Sequence, residues 1–358
     1  MIQVLPRIPG FWLFRRFGFP HMLPLNLTIS VTNRCNSRCK TCNVYLKEVD
    51  EFSLREFEET FKSIGRAPYW VTISGGEPFL RKDITEICRF AYDSFRPGII
   101  NIPTNGILSG IVPGRVKEIV ENSPDAEVII NLSLDHLGEK HDTIRGVPGN
   151  YAMALETYRK LKELGLPNLT VGIHTVISKF NVQDFPDIYR GLSAMEPDSY
   201  ITEIAEERVE LGTTGLDLTP SRDMYDGAVD FLSDRIREKR YRGITKITQA
   251  FRLRYYELVK QIMEKKRQVL PCYAGFISAQ ISPDGEVWAC CIQADSMGNL
   301  RDVDYDFGRI WFSEQADKVR APIRKKMCFC PLANAGYTNM LVSPGAMAKV
   351  LKNLVIPS

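Results

Sequence analysis

The sequence predicts an α/β protein: a partial (β/α)6, TIM-like barrel over residues 27–215, then a small C-terminal β-hairpin and helix domain. Three observations predict it. Six short runs rich in Val, Ile, Leu and Thr recur through the first two hundred residues, helical patterns separate them, and beyond residue 268 the pattern changes to a hairpin bracketed by cysteines. Strand and helix in alternation signal a parallel sheet, because parallel neighbours need a crossover connection. A chain of 358 residues, 44% hydrophobic and 25% charged, can bury one large core and a smaller one.

Residues 1–26 form an apolar and basic segment, "IPGFWLFRRFGFPHMLP", in which Phe11, Trp12, Leu13, Phe14 and Phe17 surround Arg15 and Arg16. Two readings stand side by side: a helix that caps the bottom of the barrel, or peripheral membrane contact through 8–20. The six strands fall at 27–32, 70–74, 98–103, 127–134, 169–177 and about 199–205. Between the first two, "SLREFEETFKSI" offers Ser53 as N-cap with Glu56 three positions on, and Phe57, Phe61 and Ile64 on one face. Further helices are expected at about 84–95, 114–122, 151–164 and 184–195. Such a barrel gathers functional residues at the C-terminal ends of its strands.

A linker over 216–268 follows, with long charged helices that include "DRIREKRYRG" and "MEKKRQ". These read as solvated faces, or as a patch for an anionic substrate or lipid headgroup. In 269–335 two β-type runs joined by "SPDG" predict a hairpin. The tail, 336–358, is weakly patterned.

Net charge is +3, from 46 basic and 43 acidic residues, so no overall field argues for nucleic acid. No apolar run reaches the roughly 18 residues of a membrane span, and no secretory signal opens the chain. A cytoplasmic setting is expected. There, nine cysteines in tight clusters read as metal ligands or reactive thiols rather than as disulfides. Cys88, at helical spacing with Ile84, Ile87 and Ala91, is a core residue.

Cys35, Cys39 and Cys42 follow the first strand as CxxxCxxC. A closed zinc site takes four ligands, whereas three thiolates hold three corners of a cubane iron-sulfur cluster and leave one iron open. A three-cysteine zinc site completed by a distant residue is the competing reading. "ISGGEPFLR" ends the second strand; its glycines permit close backbone approach, and Glu77 offers an anionic acceptor to an ammonium. "IPTNG" ends the third strand, and "LSLDHLGEKHDTIRG" the fourth.

With these motifs the chain resembles the radical S-adenosylmethionine (SAM) superfamily, over about 27–335. The resemblance implies a SAM-binding 4Fe-4S cluster on Cys35, Cys39 and Cys42, with the SAM amine at Gly75, Gly76 and Glu77. It implies that Thr104 and Asn105 line the SAM pocket, that Ser133 and Asp135 approach ribose or substrate, and that Arg145 approaches the SAM carboxylate or a loop carbonyl. His136 stands where the family more often has glycine. Thr41 stands where it usually has an aromatic against the adenine, a contact left to Tyr45 or another residue. His174 reads as a barrel histidine rather than a ligand.

The C-terminal region resembles the SPASM extension, or its shorter twitch-type form. The resemblance implies one auxiliary 4Fe-4S cluster on Cys272, Cys290, Cys328 and Cys330, with Cys291 as the alternative to Cys290, since neighbours on a strand point oppositely. Asp295, Tyr273 and Arg324 are candidates to deprotonate or orient substrate, against surface or structural roles. The expected activity is radical SAM oxidoreductase chemistry: cleavage of SAM to a 5′-deoxyadenosyl radical, hydrogen abstraction, and oxidation aided by the auxiliary cluster. A reductant such as ferredoxin or flavodoxin and a low-oxygen setting go with it. A sugar- or cyclitol-like small molecule or a lipid headgroup is the favoured substrate, with ribosomal-peptide or protein side-chain modification as the alternative. The competing class is a non-catalytic iron-sulfur electron-transfer protein, which has no use for Glu77 and its two glycines.

Overall fold

The computed structural model describes residues 4–238 and 243–355, so part of "DRIREKRYRG" lies outside the described residues. Along the chain, α1 (Ile8–Phe17) precedes β1 (Asn26–Ser30), α2 (Leu54–Ile64), β2 (Trp70–Ser74), α3 (Ile84–Phe95) and β3 (Ile99–Thr104). Next come α4 (Val112–Glu121), β4 (Glu127–Ser133), α5 (Gly138–Arg145), α6 (Asn150–Glu163), β5 (Leu169–Ile177), α7 (Phe185–Ser193) and β6 (Ser199–Ile204). The remainder runs α8 (Arg222–Glu238), α9 (Gly243–Lys265), β7 (Ser278–Ile281), β8 (Glu286–Trp288), β9 (Ser296–Asn299), α10 (Phe307–Trp311), α11 (Glu314–Arg324), α12 (Ala333–Leu341) and α13 (Pro344–Val355).

Strands β1 to β6 pair in parallel in sequence order. β7 then joins β1 in parallel on its free side, with Asn26 opposite Ser278, and β8 and β9 continue antiparallel. The hairpin expected as part of a separate small domain thus extends the barrel's own sheet, and a third strand, β9, was not expected. Its turn holds Gly285 at φ +88°, where a Cβ would lie 2.3 Å from the ring of Phe52. Glycine is therefore required for the turn to seat against the barrel.

One face of the sheet is apolar: Leu27, Ile29, Val71, Ile73, Ile100, Ile102, Val128 and Ile130 are all fully buried. The alternate residues are polar and bonded across strands, Asn131 Nδ2 donating to Asn101 Oδ1 (2.7 Å) and Asn101 Nδ2 to Thr72 Oγ1 (3.4 Å). A barrel interior filled with branched apolar side chains is the usual packed core; this sheet instead turns polar groups inward, as a site for polar ligands does.

The α2 capping box forms as expected: Ser53 N donates to the Glu56 carboxylate (2.7 Å) and Ser53 Oγ accepts from Glu56 N (3.4 Å). Phe57, Phe61 and Ile64 are buried beneath it, each contributing roughly 1.5–3 kcal/mol. α2 also receives the C-terminal part, since Arg301 binds the Glu56 carboxylate (2.6 Å) and Ser63 Oγ accepts from Phe307 N (3.0 Å).

At the N-terminal ends of the strands, α1 buries Phe11 and Phe14 in a cluster with Leu25, Tyr273, Phe276 and Ile277. Trp12 Nε1 donates to Val342 O (2.7 Å). No helix among the described residues is long and apolar enough to cross a membrane. The weakly patterned tail is helical: α12 and α13 pack on α9, with Tyr337 stacked on Tyr255 at 5.1 Å. Small residues in "ANAGYT" and "SPGAMAK" obscured the periodicity there.

Candidate functional site

The loop after β1 carries Cys35, Cys39 and Cys42 to the C-terminal mouth of the sheet, all partly exposed. α5 holds it by backbone, Arg38 N donating to Arg145 O and Lys40 N to Ile144 O, each at 2.9 Å. Sulfur contacts add to this: Cys35 Sγ accepts from Ser37 N (3.4 Å) and Asn105 Nδ2 (3.9 Å), and Cys39 Sγ from Arg145 Nη1 (3.8 Å). Burial pushes the Cys35 thiol up and the Cys42 thiol to about 12, and a cationic metal centre acts in the opposite sense by favouring the thiolates. Among the described residues no three such side chains gather as around a single ion. A cluster spreads its thiolates more widely, and the donor set fits it.

The second strand ends at the same mouth. Gly75 sits at φ +137°, where a Cβ would meet Thr32 O at 2.3 Å, and a Cβ on Gly76 would meet Arg34 O at 2.3 Å. Only glycines let this turn lie against the cysteine loop. Glu77, fully buried, accepts from Thr104 Oγ1 (2.9 Å), Asn105 N (2.8 Å) and Phe79 N (3.2 Å). Burial pushes its carboxyl up to about 7, against the pull of those donors.

From the fourth strand, Asp135 pairs with Arg145 at 2.8 Å and accepts from Val176 N at 2.9 Å. Burial opposes the Arg145 charge, but Asp135 and the facing thiols outweigh it and raise its pKa. Arg145 Nε has no hydrogen-bond partner in its buried position. An unfilled donor beside two cluster thiols suits an anionic group such as the SAM carboxylate. Ser133 lies opposite His174 in register. His136 is buried against Asp184 (3.0 Å), and Tyr45 lies beneath the Arg38 guanidinium at 4.3 Å.

Cys272, Cys290, Cys328 and Cys330 line one cavity of about 260 Å3 at the end of β7 and β8, together with Asp295. Cys291 does not line it. Its carbonyl accepts from Glu210 N (3.2 Å), and its thiol is buried towards Glu210 and Arg208. The remaining candidates sit elsewhere: Tyr273 packs under Arg15 at 5.2 Å in the α1 cluster, and Arg324 lies over Phe276 at 5.9 Å. Tyr273 lies in the segment between α9 and β7 and Arg324 closes α11, and the Tyr273 ring and the Arg324 guanidinium meet the α1 cluster rather than the cavity.

Between the two thiol sets lies a buried charge cluster that sequence reasoning missed. Arg208 binds Glu203 (3.3 Å) and Glu206 (3.4 Å), and Glu203 approaches His174 (3.6 Å). Burial pushes the Glu206 carboxyl up to about 8. The run "EIAEERVE" at the end of the sixth strand carried the signal, since strand ends are where a barrel keeps its chemistry.

Comparison with known proteins agrees with this geometry. The family model described as Radical SAM superfamily matches residues 29–192, and that described as Iron-sulfur cluster-binding domain, SPASM, matches 272–331. The chain is 31% identical over 165 residues to pre-heme d1 synthase of Dinoroseobacter shibae, covering 45% of this chain and 38% of that protein. It is 25% identical over 320 residues to Fe-coproporphyrin III synthase of Methanosarcina barkeri, covering 83% and 75%. It is 24% identical over 323 residues to the subtilosin biosynthesis protein AlbA of Bacillus subtilis, covering 84% and 65%. The solved structure of native anSMEcpe with bound AdoMet and Cp18Cys peptide has the same fold, with a TM-score of 0.60 at 16% identity, covering 92% of this chain and 96% of that one. With its cysteine loop, its strand-end glycines and the cysteines around its second cavity, the chain belongs to the radical SAM superfamily and is an enzyme with a C-terminal SPASM iron-sulfur domain.

Proposed function

We propose that this enzyme removes a hydrogen atom from a side chain of a peptide or protein and oxidises that side chain by two electrons overall. When bound, the SAM-binding cluster supplies the electron that cleaves SAM to the 5′-deoxyadenosyl radical, and the auxiliary cluster supplies a sink for the second oxidising step. The chain's own part is positioning. Glu77 would hold the SAM amine, and Arg145, charged against Asp135, its carboxylate. The polar interior would hold the substrate, with Glu203, Arg208 and Glu206 orienting its polar groups beneath the auxiliary site.

The observation that carries the oxidative reading is the presence of two separate thiol sets, one on the loop after β1 and one around the cavity beyond β8, with the segment after β6 bonded next to both, Asn43 N donating to Leu211 O (2.8 Å) and Val209 N to Ile292 O (3.1 Å). Peptide substrate is supported by the likeness to AlbA over 323 residues and to the fold of a peptide-bound neighbour. A tetrapyrrole is the second reading, supported by the likeness to Fe-coproporphyrin III synthase over 320 residues. The small-molecule or lipid-headgroup reading has less support than either.

The test is anaerobic turnover with SAM, dithionite and deuterated candidates. Deuterium passing from a peptide side chain into 5′-deoxyadenosine, with the peptide losing two hydrogens, is expected. Transfer from a porphyrin or a small molecule, and none from peptides, overturns the peptide reading; absence of 5′-deoxyadenosine under all conditions overturns the radical reading itself.

A further inference from the structure

Two basic runs remain without a role in radical chemistry. One is Lys265, Lys266 and Arg267 at the end of α9; the other is Arg324, Lys325 and Lys326 at the end of α11. The fold brings them together at one cluster cysteine. Gln268 Nε2 donates to Ile323 O (3.2 Å) and to Cys328 Sγ (3.8 Å), so each run ends beside Cys328. All six cations are exposed. None has a carboxylate within salt-bridge distance among the described residues; the nearby Glu264 pairs instead with Arg222.

A helix C-terminus favours a cation or two in its last turn. That does not account for what lies between the runs. Met327 is 74% exposed and Phe329 is 48% exposed, one on each side of Cys328. A flexible thioether and an aromatic ring in solvent, rimmed by unpaired cations, have the anatomy of a protein-binding surface. Directly beneath it is the cavity lined by Cys272, Cys290, Cys328 and Cys330.

We propose that this surface docks an acidic one-electron carrier protein of the flavodoxin or ferredoxin kind, and that the auxiliary cluster exchanges electrons with it there. The inference rests on the oxidative reading above. After a substrate is oxidised, the reduced auxiliary cluster loses one electron and the oxidised carrier gains it; no bond forms or breaks. A net charge of +3 over the whole chain steers nothing, so recognition of an anionic partner must be local; Asp295 faces Cys328 within the cavity and Arg324 also lies over Phe276, but the six exposed cations around the apolar centre outnumber that one carboxylate.

The test uses the holoenzyme and an oxidised bacterial flavodoxin of net negative charge. Titration is expected to show binding that weakens as salt rises, and Lys325→Glu with Lys326→Glu is expected to weaken it by about tenfold or more with iron content and circular dichroism unchanged. The Cys35→Ala, Cys39→Ala, Cys42→Ala variant, reduced and freed of dithionite, is expected still to yield flavodoxin semiquinone. Binding undiminished by charge reversal overturns the proposal. So does failure of the wild type to bind flavodoxin while it binds anionic vesicles or heparin, or loss of semiquinone in the cysteine variant. If flavodoxin binds as expected but the auxiliary cluster stays oxidised throughout turnover with substrate, the oxidative reading fails and the docking surface stands.

Discussion

Among the described residues the buried Glu77 carboxyl accepts hydrogen bonds from three neutral donors, and burial lifts its pKa to about 7 against them and the charge of Arg145. A bound ammonium favours the ionised form, so SAM affinity is expected to rise about tenfold per pH unit below pH 7 and level off above it. Calorimetric titration between pH 6 and 8 measures this, and Glu77→Gln should remove both the affinity and its slope; a flat wild-type profile would refute the assignment. The folding term has the opposite sense. A carboxyl raised from 4.5 contributes its stability below pH 4.5 and loses it as the pH rises through about 7, so the ligand-free protein is expected to weaken across that window. At Gly76 the constraint is steric. Gly76→Ala puts a Cβ 2.3 Å from Arg34 O and should displace the cysteine loop, read as loss of roughly half or more of the iron on reconstitution without loss of the fold. Both positions were legible in "SGGE" because a short turn encodes its own needs.

The β7 to β9 ribbon separates two adjacent thiols. Cys290 lines the auxiliary cavity and Cys291 turns towards Arg208, so Cys290→Ser is expected to abolish the auxiliary cluster signal while Cys291→Ser retains it. Electron paramagnetic resonance of a variant that also lacks the first cluster distinguishes them, and equal loss would refute the placement. Spacing could reduce the choice to these two, but not make it. Both cysteines lie beyond the end of β8, Cys291 opening a turn, so strand alternation does not set them apart; a contact between distant segments does, Cys291 O accepting from Glu210 N. At α2, the Arg301 guanidinium, followed by the Ser53 backbone, holds the Glu56 carboxyl down at about 2. That contribution is present above pH 4.5 and lost as the pH falls through about 2. Arg301→Ala should lower unfolding stability by roughly 1 kcal/mol at pH 7, and by less near pH 2, in denaturant titrations.

Over the whole molecule, chemistry is strung along one polar mouth: first cysteine loop, Glu77 and Arg145, the Arg208 cluster, second cysteine cavity. β7 makes this possible by pairing with the free side of β1, which places the second thiol set beside the first. The apolar cluster shared by α1, Leu25 and Phe276 braces that junction from below, and Asn334 of α12 reaches across to Thr28 of β1 at 3.1 Å. Legible in the amino-acid order alone were the strand and helix alternation, the three-cysteine loop, the glycines and Glu77, and the five further cysteines of the C-terminal region, because each is written in spacings of a few residues. Tertiary structure alone decided that the hairpin extends the barrel sheet, that the weakly patterned tail is two helices, that Cys290 rather than Cys291 faces the cavity, and that two distant basic runs meet at Cys328. Those outcomes depend on strand pairing and side-chain direction between segments far apart in the chain, which no local periodicity records.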